Sequence, residues 1–421
     1  MNSMPARTID AVVVGAGPGG LAASAALTDR GVDHVVLERA RVGQTWRDQR
    51  WDSLRLNNPG WMNTMLGLQP RDTYLTGGEV LARLNTLAGD CPVRELTRVT
   101  RLIPDNGYWG VKVDRGLIRA RTVVIATGGE NQPRTPTMSR DIPGRIAQYH
   151  SASYRNPGQL PDGGVLIVGS GQSGCQIAEE LRTAGRSVIL ATSPIGRIPA
   201  RHRGKDTVEW LYQSGFFDQR TLDLLDIATT RQPQPLIAPG GRSLSLQSLA
   251  REGVTLAGRL SGVENETATF DGSAPANVAA ADQFAARVTA MLDQTICPPG
   301  VGLPEESDET AGPIELDPPR MLDLRAAKVG SIIWSTGYTG DFSWLPTDFV
   351  GVDGRPRHHD AAAVAPGVWY IGLRWLTHRA SGNFLGFPTD ARIVADAVAT
   401  HLDADRRSIG VAGGAPTRSG R

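Results

Sequence analysis

The sequence predicts an α/β fold of two parallel-sheet units, the second inserted into the first. Three observations carry that prediction. An apolar run ends in a glycine cluster at Val12-Val13-Val14-Gly15-Ala16-Gly17-Pro18-Gly19-Gly20. The arrangement returns at Val165-Leu166-Ile167-Val168-Gly169-Ser170-Gly171-Gln172-Ser173-Gly174. Apolar strands then resume at Ile332–Trp334 and Val368–Ile371, before a final helix near Ala391–His401. Each glycine cluster reads as a strand turning tightly into a helix, with bare backbone N–H groups at the helix N-terminus. One such run also arises for packing reasons. Two, about one domain length apart, predict two Rossmann-like dinucleotide-binding domains. The expected boundaries are 1–158 with 325–421 for the outer domain, and 159–324 for the inner one.

In chain order, strand Ala11–Val14 leads to a helix through Leu21–Leu27, whose alanines let it lie close to a sheet. Strand His34–Leu37 follows and ends in Glu38, where a carboxylate accepts hydrogen bonds from both hydroxyls of an adenosine ribose. Next come a helix over Gly78–Ala88, a short strand Thr97–Leu102, a hairpin of Trp109–Val113 with Leu117–Arg121, and a buried strand Thr122–Ala126. That strand ends in Ala126-Thr127-Gly128-Gly129, and a similar Ser335-Thr336-Gly337 end follows Ile332–Trp334. Residues 129–164, with repeated Pro and Gly, read as a crossover. From 165 the pattern restarts with strand Val165–Val168, helix Cys175–Thr183, Gly185 and strand Ser187–Ala191. Between 195 and 325 periodicity resolves only helical patches at Val208–Tyr212 and Ala281–Leu292, a strand-like Val254–Ala257, and a Pro/acidic loop over 298–319. The tail after Asp405 is expected to be disordered. The clefts are expected to face each other near crossovers at 127–164 and 312–330.

The 421 residues carry a formal net charge of +1, so no global field attracts nucleic acid or a membrane surface. Lysine occurs only at Lys112, Lys205 and Lys328, a bias toward arginine rather than a phosphate-binding face. Cys91, Cys175 and Cys297 form neither a CxxC pair nor metal-ligand spacing, and no metal is expected. No apolar run approaches the roughly 18 residues of a membrane span. Asp10 before the N-terminal apolar run and Gly-Pro-Gly inside it fit a buried strand better than a secretory leader. A cytoplasmic location is expected.

The two clefts differ in the residues beyond their second strand. Glu38 suits a ribose with free hydroxyls, as in FAD or NAD. The second site instead ends in Ala191-Thr192-Ser193, with Arg197, Arg201, Arg203 and Lys205 close behind. Hydroxyls and guanidinium groups bind a ribose 2′-phosphate that a carboxylate would repel, which predicts NADPH over NADH. The NADPH residues expected are Gly169, Ser170, Gly171, Ser173, Gly174, Thr192, Ser193, Arg197 and Arg201.

These residues resemble the flavin-containing monooxygenase family, whose single chain binds FAD and NADPH. The likeness covers nearly the whole chain: Gly15–Gly20, Glu38, Gly43-Gln44-Thr45-Trp46-Arg47, Trp51-Asp52-Ser53-Leu54-Arg55-Leu56-Asn57, Ala126-Thr127-Gly128, His150-Ser151 through Tyr154, Gly169–Gly174 and Ser335-Thr336-Gly337-Tyr338. The resemblance implies that NADPH reduces FAD, that O2 adds at the flavin C4a carbon to give a (hydro)peroxide, and that a small molecule is then oxygenated at nitrogen or sulfur or hydroxylated. It implies a small-molecule substrate and O2 as partners, with a homodimer left open.

The family's pocket asparagine falls on Asn57, whose amide donates at every pH; Asn58 is its neighbour and rival. The FAD residues expected are Gly15, Gly17, Gly20, Glu38, Arg39, Trp46, Asn57, Val99, Thr127, Asn383 and Phe384. Trp375, His378 and Arg379, with the last two of these, are expected near the substrate pocket. One departure concerns the family pattern Phe-x-Gly-x-x-x-His-x-x-x-Tyr or Trp. Ile142 stands in the Phe place, and five residues separate Gly144 from His150. His150 is read as a brace for the interdomain turn. Baeyer–Villiger chemistry remains an alternative. A flavin disulfide reductase needs two neighbouring redox cysteines, which this sequence does not offer locally. A non-catalytic nucleotide-sensing protein would bind without turnover.

Overall fold

The computed structural model describes residues 8–67, 73–223, 234–235, 237–238, 241–296 and 312–412. Strand β1 (Ile9–Val14), helix α1 (Pro18–Thr28) and strand β2 (His34–Leu37) form the first βαβ unit, followed by α2 (Gln44–Asp48), α3 (Gly77–Ala88) and β3 (Val93–Arg94). A capping box closes the start of α3, with Thr76 and Glu79 exchanging side-chain and backbone hydrogen bonds. Strands β4 (Val99–Asp105), β5 (Tyr108–Val113) and β6 (Gly116–Ile125) complete the first half of the outer domain. Its nine-stranded sheet runs β3-β2-β1-β6, then the C-terminal strands Val368–Tyr370, Ala362–Ala363 and His358–His359, with β4 and β5 hanging antiparallel from β6. Val13, Val36, Val123 and Val124 are fully buried because elements cover both faces of these central strands.

Two sequence expectations shift here. The hairpin arm Leu117–Arg121 and the strand Thr122–Ala126 are one continuous strand, β6, paired to β5 at its start and to β1 along most of its length. The short strand expected at Thr97 begins at Val99 and runs on to Asp105, because its length is set by its partner β5.

The connector strand β7 (Gln132–Pro133) precedes β8 (Ala147–His150), β9 (Gly164–Val168), helix α4 (Gln172–Thr183) and β10 (Val188–Ala191). The inner sheet is five-stranded and parallel, in the order Thr255–Ala257, β10, β9, Val329–Trp334, β8. Strands 147–150 and 329–334, placed by sequence in the outer domain, therefore belong to the inner sheet. The second crossover accordingly follows Trp334 rather than lying at 312–330. There Tyr338–Thr339 pairs antiparallel with β7, so the two interdomain passages run side by side. The apolar pattern of 332–334 signals a buried strand but carries no address for its sheet.

Within 195–325 the structure resolves helices Thr207–Gln213, Leu246–Arg251 and Ala274–Ile296, and an antiparallel sheet of Leu260–Glu264, Thr267–Phe270 and Met321–Asp323. That small sheet covers one face of the inner sheet; α4 and Leu246–Arg251 cover the other. Most of the Pro/acidic loop, 297–311, lies outside the described residues. The last helix runs Phe387–Ala412, past the Asp405 at which disorder was expected. Arg121 pairs with Asp405 (2.7 Å) and Asp10 (3.1 Å), and Arg406 with Asp10 (3.3 Å), tying the helix back to the outer sheet. The rest of the expected tail, 413–421, is outside the described residues.

Candidate dinucleotide clefts and the site between the domains

Both glycine fingerprints fold into the same cradle. A Cβ on Gly15 would stand 2.6 Å from Ala126 O, and one on Gly20 would stand 1.9 Å from Gly15 O. In the inner domain a Cβ on Gly169 would stand 2.4 Å from Ser335 O, and one on Gly174 1.9 Å from Gly169 O. These four glycines serve backbone packing: strand end, neighbouring strand end and helix start are pressed together.

Gly17 and Gly171 differ. Each is the N-cap of its helix, in extended backbone, with no side chain capping the helix and no atom within 4 Å of a would-be Cβ. The first N–H groups of α1 and α4 thus open onto free space with the positive end of the helix dipole behind them. That is a fit for a pyrophosphate in each cleft.

Around the outer cradle, Glu38 is buried, its Oε2 accepting from Ala16 N (2.9 Å) and its Oε1 from Ala40 N (3.0 Å). Each oxygen keeps capacity for a ribose hydroxyl. Val99 lies two residues beyond Thr97, whose N–H donates to Glu38 O (2.8 Å), so β4 starts close to the end of β2. Arg39 lies near enough to Asp341 to help hold that carboxyl below its ordinary range, after the hydroxyl and N–H of Ser343. At the end of β6 the Thr127 hydroxyl is buried without a hydrogen-bond partner among the described residues. An orphaned donor beside the glycine cradle fits a bound polar group.

The far end of this cleft is aromatic. Trp46 on α2 meets Phe384 with ring centres 5.7 Å apart, and Phe384 meets Phe387 edge-on at 5.9 Å. The Arg50 guanidinium sits 4.8 Å over the Trp46 ring, and burial pulls its pKa down. Asn383 shapes the turn into the last helix: its Oδ1 accepts from Leu385 N (2.9 Å) and Gly386 N (3.2 Å). Behind that turn Asp390 Oδ1 accepts from Thr377 Oγ1 (2.5 Å) and Ser381 Oγ (3.0 Å), with His378 Nδ1 3.4 Å away. Arg379 lies over Phe216 and Trp375 and bonds Gln219 Oε1 (2.7 Å), joining this turn to the inserted segment.

Asn57 is at the domain boundary. Its Oδ1 accepts from Gln176 Nε2 on α4 (3.2 Å) and from Ile237 N (3.0 Å). Asn58 is held through its backbone, its carbonyl accepting from the buried Asn63 Nδ2 (3.4 Å). Sequence reasoning missed Gln176. The signal was present: a glutamine at the core face of a helix, between Cys175 and Ile177, is 7% exposed.

The inner cleft is less open to a 2′-phosphate than its sequence suggests. Ser170 and Ser193 bond each other, through Ser170 Oγ to Ser193 O (3.1 Å) and Ser193 N to Ser170 Oγ (3.0 Å). Ser173 is half-buried in the first turn of α4. The Thr192 hydroxyl turns inward, donating to Ala257 O (2.8 Å) and accepting from Asn277 Nδ2 (3.0 Å). Arg197 is buried and paired with Asp282 (2.8 Å), so it is a structural cation rather than an open one. Arg201 is exposed, its Nη2 on Gly204 O (2.6 Å). Of the expected phosphate ligands, Thr192 and Arg197 are thus committed elsewhere, while Ser193 stays beside Ser170 and Arg201 is exposed. The sequence shows spacing but not which way a side chain turns.

At the crossovers, His150 Nδ1 accepts from Ala152 N (3.1 Å), which fixes its proton on Nε2, donated to Gly337 O (3.0 Å). Burial lowers its pKa, and it packs edge-on against Tyr338 at 5.0 Å. It braces the interdomain turn. Cys175 is buried, its thiol pushed up to about 12, in the inner core, whereas Cys91 packs on the outer core. The two described cysteines are far from a redox pair, and Cys297 lies outside the described residues.

Residues 12–211 match the pyridine nucleotide-disulphide oxidoreductase family. An uncharacterized CzcO-like oxidoreductase of Geobacillus kaustophilus is 25% identical over 93% of this chain and 99% of its own. The flavin-containing monooxygenase of Stenotrophomonas maltophilia superposes with a TM-score of 0.65 at 21% identity, over 94% of this chain and 99% of that one, and so shares the fold. Indole-3-pyruvate monooxygenase YUCCA1 of rice is 32% identical over 47% of this chain and 51% of its own. The likeness to the solved structure shows the fold, two Rossmann-like dinucleotide-binding domains. No helix, among the described residues, is long and apolar enough to cross a membrane.

Proposed function

We propose that this protein is a flavin monooxygenase that binds FAD in the outer cleft and NADPH in the inner one, and transfers one oxygen atom to a soft nitrogen or sulfur, or to carbon as a hydroxyl. The observation that carries the reading is the duplicated glycine cradle in which only the outer copy is followed by a carboxylate, Glu38. The balance is NADPH, a proton, O2 and substrate giving NADP+, water and oxygenated substrate. Bound FAD supplies hydride acceptance and the activation of O2.

The chain's own residues bind, orient and exclude water. The open N–H groups of α1 and α4 would hold the two pyrophosphates, and Glu38 the adenosine ribose of FAD. Trp46, Phe384 and Phe387 make an apolar wall, which would shelter the reacting atoms from water. Asn57, its Oδ1 occupied, would present the Nδ2 donor to the flavin's oxygen-bearing edge without changing charge at any pH. The end of β10, which carries Thr192 and Ser193 and no carboxylate, with the exposed Arg201 farther along the chain, supports NADPH over NADH.

The test supplies FAD and NADPH with an amine, a sulfide and a ketone under 18O2. One labelled oxygen in the amine or sulfide product, matched to NADPH consumed, is expected. Ester formation from the ketone alone would move the chemistry to Baeyer–Villiger insertion. Hydrogen peroxide as the sole product would reduce the protein to an NADPH oxidase.

A further inference from the structure

The polar link between Asn57 and α4 does more than join two domains. Gln176 Nε2 lies within reach of three acceptors: Ile237 O (3.0 Å), Asn57 Oδ1 (3.2 Å) and Arg55 O (3.3 Å). Two are backbone carbonyls, which only accept, so the glutamine must present its NH2 group here. Asn57 Oδ1 also takes the Ile237 N–H (3.0 Å), which only donates, so Asn57 must present oxygen on this side. Fixed backbone groups therefore settle the orientation of both amides. With its oxygen occupied twice, Asn57 has only the two N–H bonds of Nδ2 left to offer in the other direction.

The glutamine is also well placed to relay events in the inner cleft. It sits one turn inside α4, whose N-cap is Gly171. Gln172, four residues earlier on the same face, donates to Pro235 O (3.0 Å), so two glutamines of one helix hold Pro235 and Ile237. Ile237 in turn donates to Asn57. A nucleotide that orders the start of α4 would order this face as well.

We propose that Gln176 is the positioning residue that aims the Asn57 amide, linking occupancy of the inner cleft to the oxygen chemistry of the outer one. The inference rests on the role given to Asn57 under the proposed function. Gln176→Met keeps the side-chain length and removes the donor; Gln176→Glu keeps the shape and sets an acceptor against Asn57 Oδ1.

The test compares both variants with Asn57→Ala and with the Asn57→Ala/Gln176→Met double variant, as FAD-loaded full-length protein. Hydrogen peroxide formed per NADPH oxidised should rise about five-fold in each Gln176 variant, the equivalent of one neutral hydrogen bond. The double variant should be no worse than Asn57→Ala alone, because both changes remove one device. A second readout needs no turnover: in oxidised holoenzyme labelled with 15N-asparagine, the side-chain amide signals that vanish in Asn57→Ala should shift in both Gln176 variants. Unmoved signals would overturn the positioning role whatever the chemistry. Shifted signals with an Asn57→Ala enzyme as coupled as the parent would uphold the orientation but sink the role of Asn57. An uncoupled Asn57→Ala beside fully coupled Gln176 variants would sink the inference alone.

Discussion

The paired cradles separate glycines that the fold requires from glycines that a ligand would require, and the inner domain allows a direct test. A methyl group at position 174 would stand 1.9 Å from Gly169 O and 3.4 Å from the Ser335 Cβ, far inside tolerable contact with backbone. Gly174→Ala should therefore force α4 away from β9, at a cost of about 1–3 kcal/mol or more. A methyl at position 171 meets nothing within 4 Å, and its φ of −71° and ψ of −175° suit any residue. Gly171→Ala should leave stability within about 0.5 kcal/mol of the parent. If a pyrophosphate approaches this backbone, the methyl displaces it from at least one N–H. A hydrogen bond to a charged group is worth about 1.5–3 kcal/mol, so the NADPH dissociation constant should rise roughly 10- to 100-fold. Thermal unfolding of the FAD-loaded variants gives the first quantity. The NADPH dependence of anaerobic flavin reduction gives the second. A stable Gly171→Ala protein with unaltered NADPH affinity would show that the start of α4 does not receive the cofactor.

Four further outcomes rest on named contacts. Asn57→Ala should still bind FAD but divert NADPH oxidation into hydrogen peroxide, read as peroxide formed per NADPH consumed. Phe384→Ala removes a buried ring between Trp46 and Phe387; it should cost about 3–5 kcal/mol in denaturant unfolding and lower FAD content on purification. Arg197→Ala should cost about 1–3 kcal/mol while leaving the NADPH-to-NADH ratio of kcat/KM unchanged, because its charge is spent on Asp282, whereas Arg201→Ala should lower that ratio. For His150, folding lowers the pKa below the ordinary value of about 6.5. Its contribution is then complete above about 6.5 and is lost as pH falls toward the lower folded value, where the unfolded chain binds the extra proton. The fall in Tm between pH 7.5 and 5.5 (roughly the titration window of histidine) should be smaller in His150→Asn than in the parent.

Much of this architecture was legible in the sequence because backbone constraints leave marks in residue type. Gly15, Gly20, Gly169 and Gly174 tolerate no side chain, and Glu38 closes a strand whose apolar run is unmistakable. The insertion of one domain into the other was legible too, since apolar strands stop and resume. Its boundaries were not, because residues 147–150 and 329–334 read as buried strands without naming a sheet. Side-chain direction was the other blind spot. Thr192 and Arg197 have the right chemistry at the right spacing for a phosphate, yet Asn277 and Asp282, 85 residues downstream of each, claim them. Gln176 was hidden for the same reason: its partners Asn57 and Ile237 are distant in sequence, and only the fold brings the three amide groups together.

The most direct measurement is an anaerobic titration of the purified, FAD-loaded protein with NADPH. One equivalent should bleach one flavin, and admission of air should restore the yellow colour. Protein that takes up no flavin, or flavin that stays oxidised with excess NADPH, would contradict a hydride path between the two clefts.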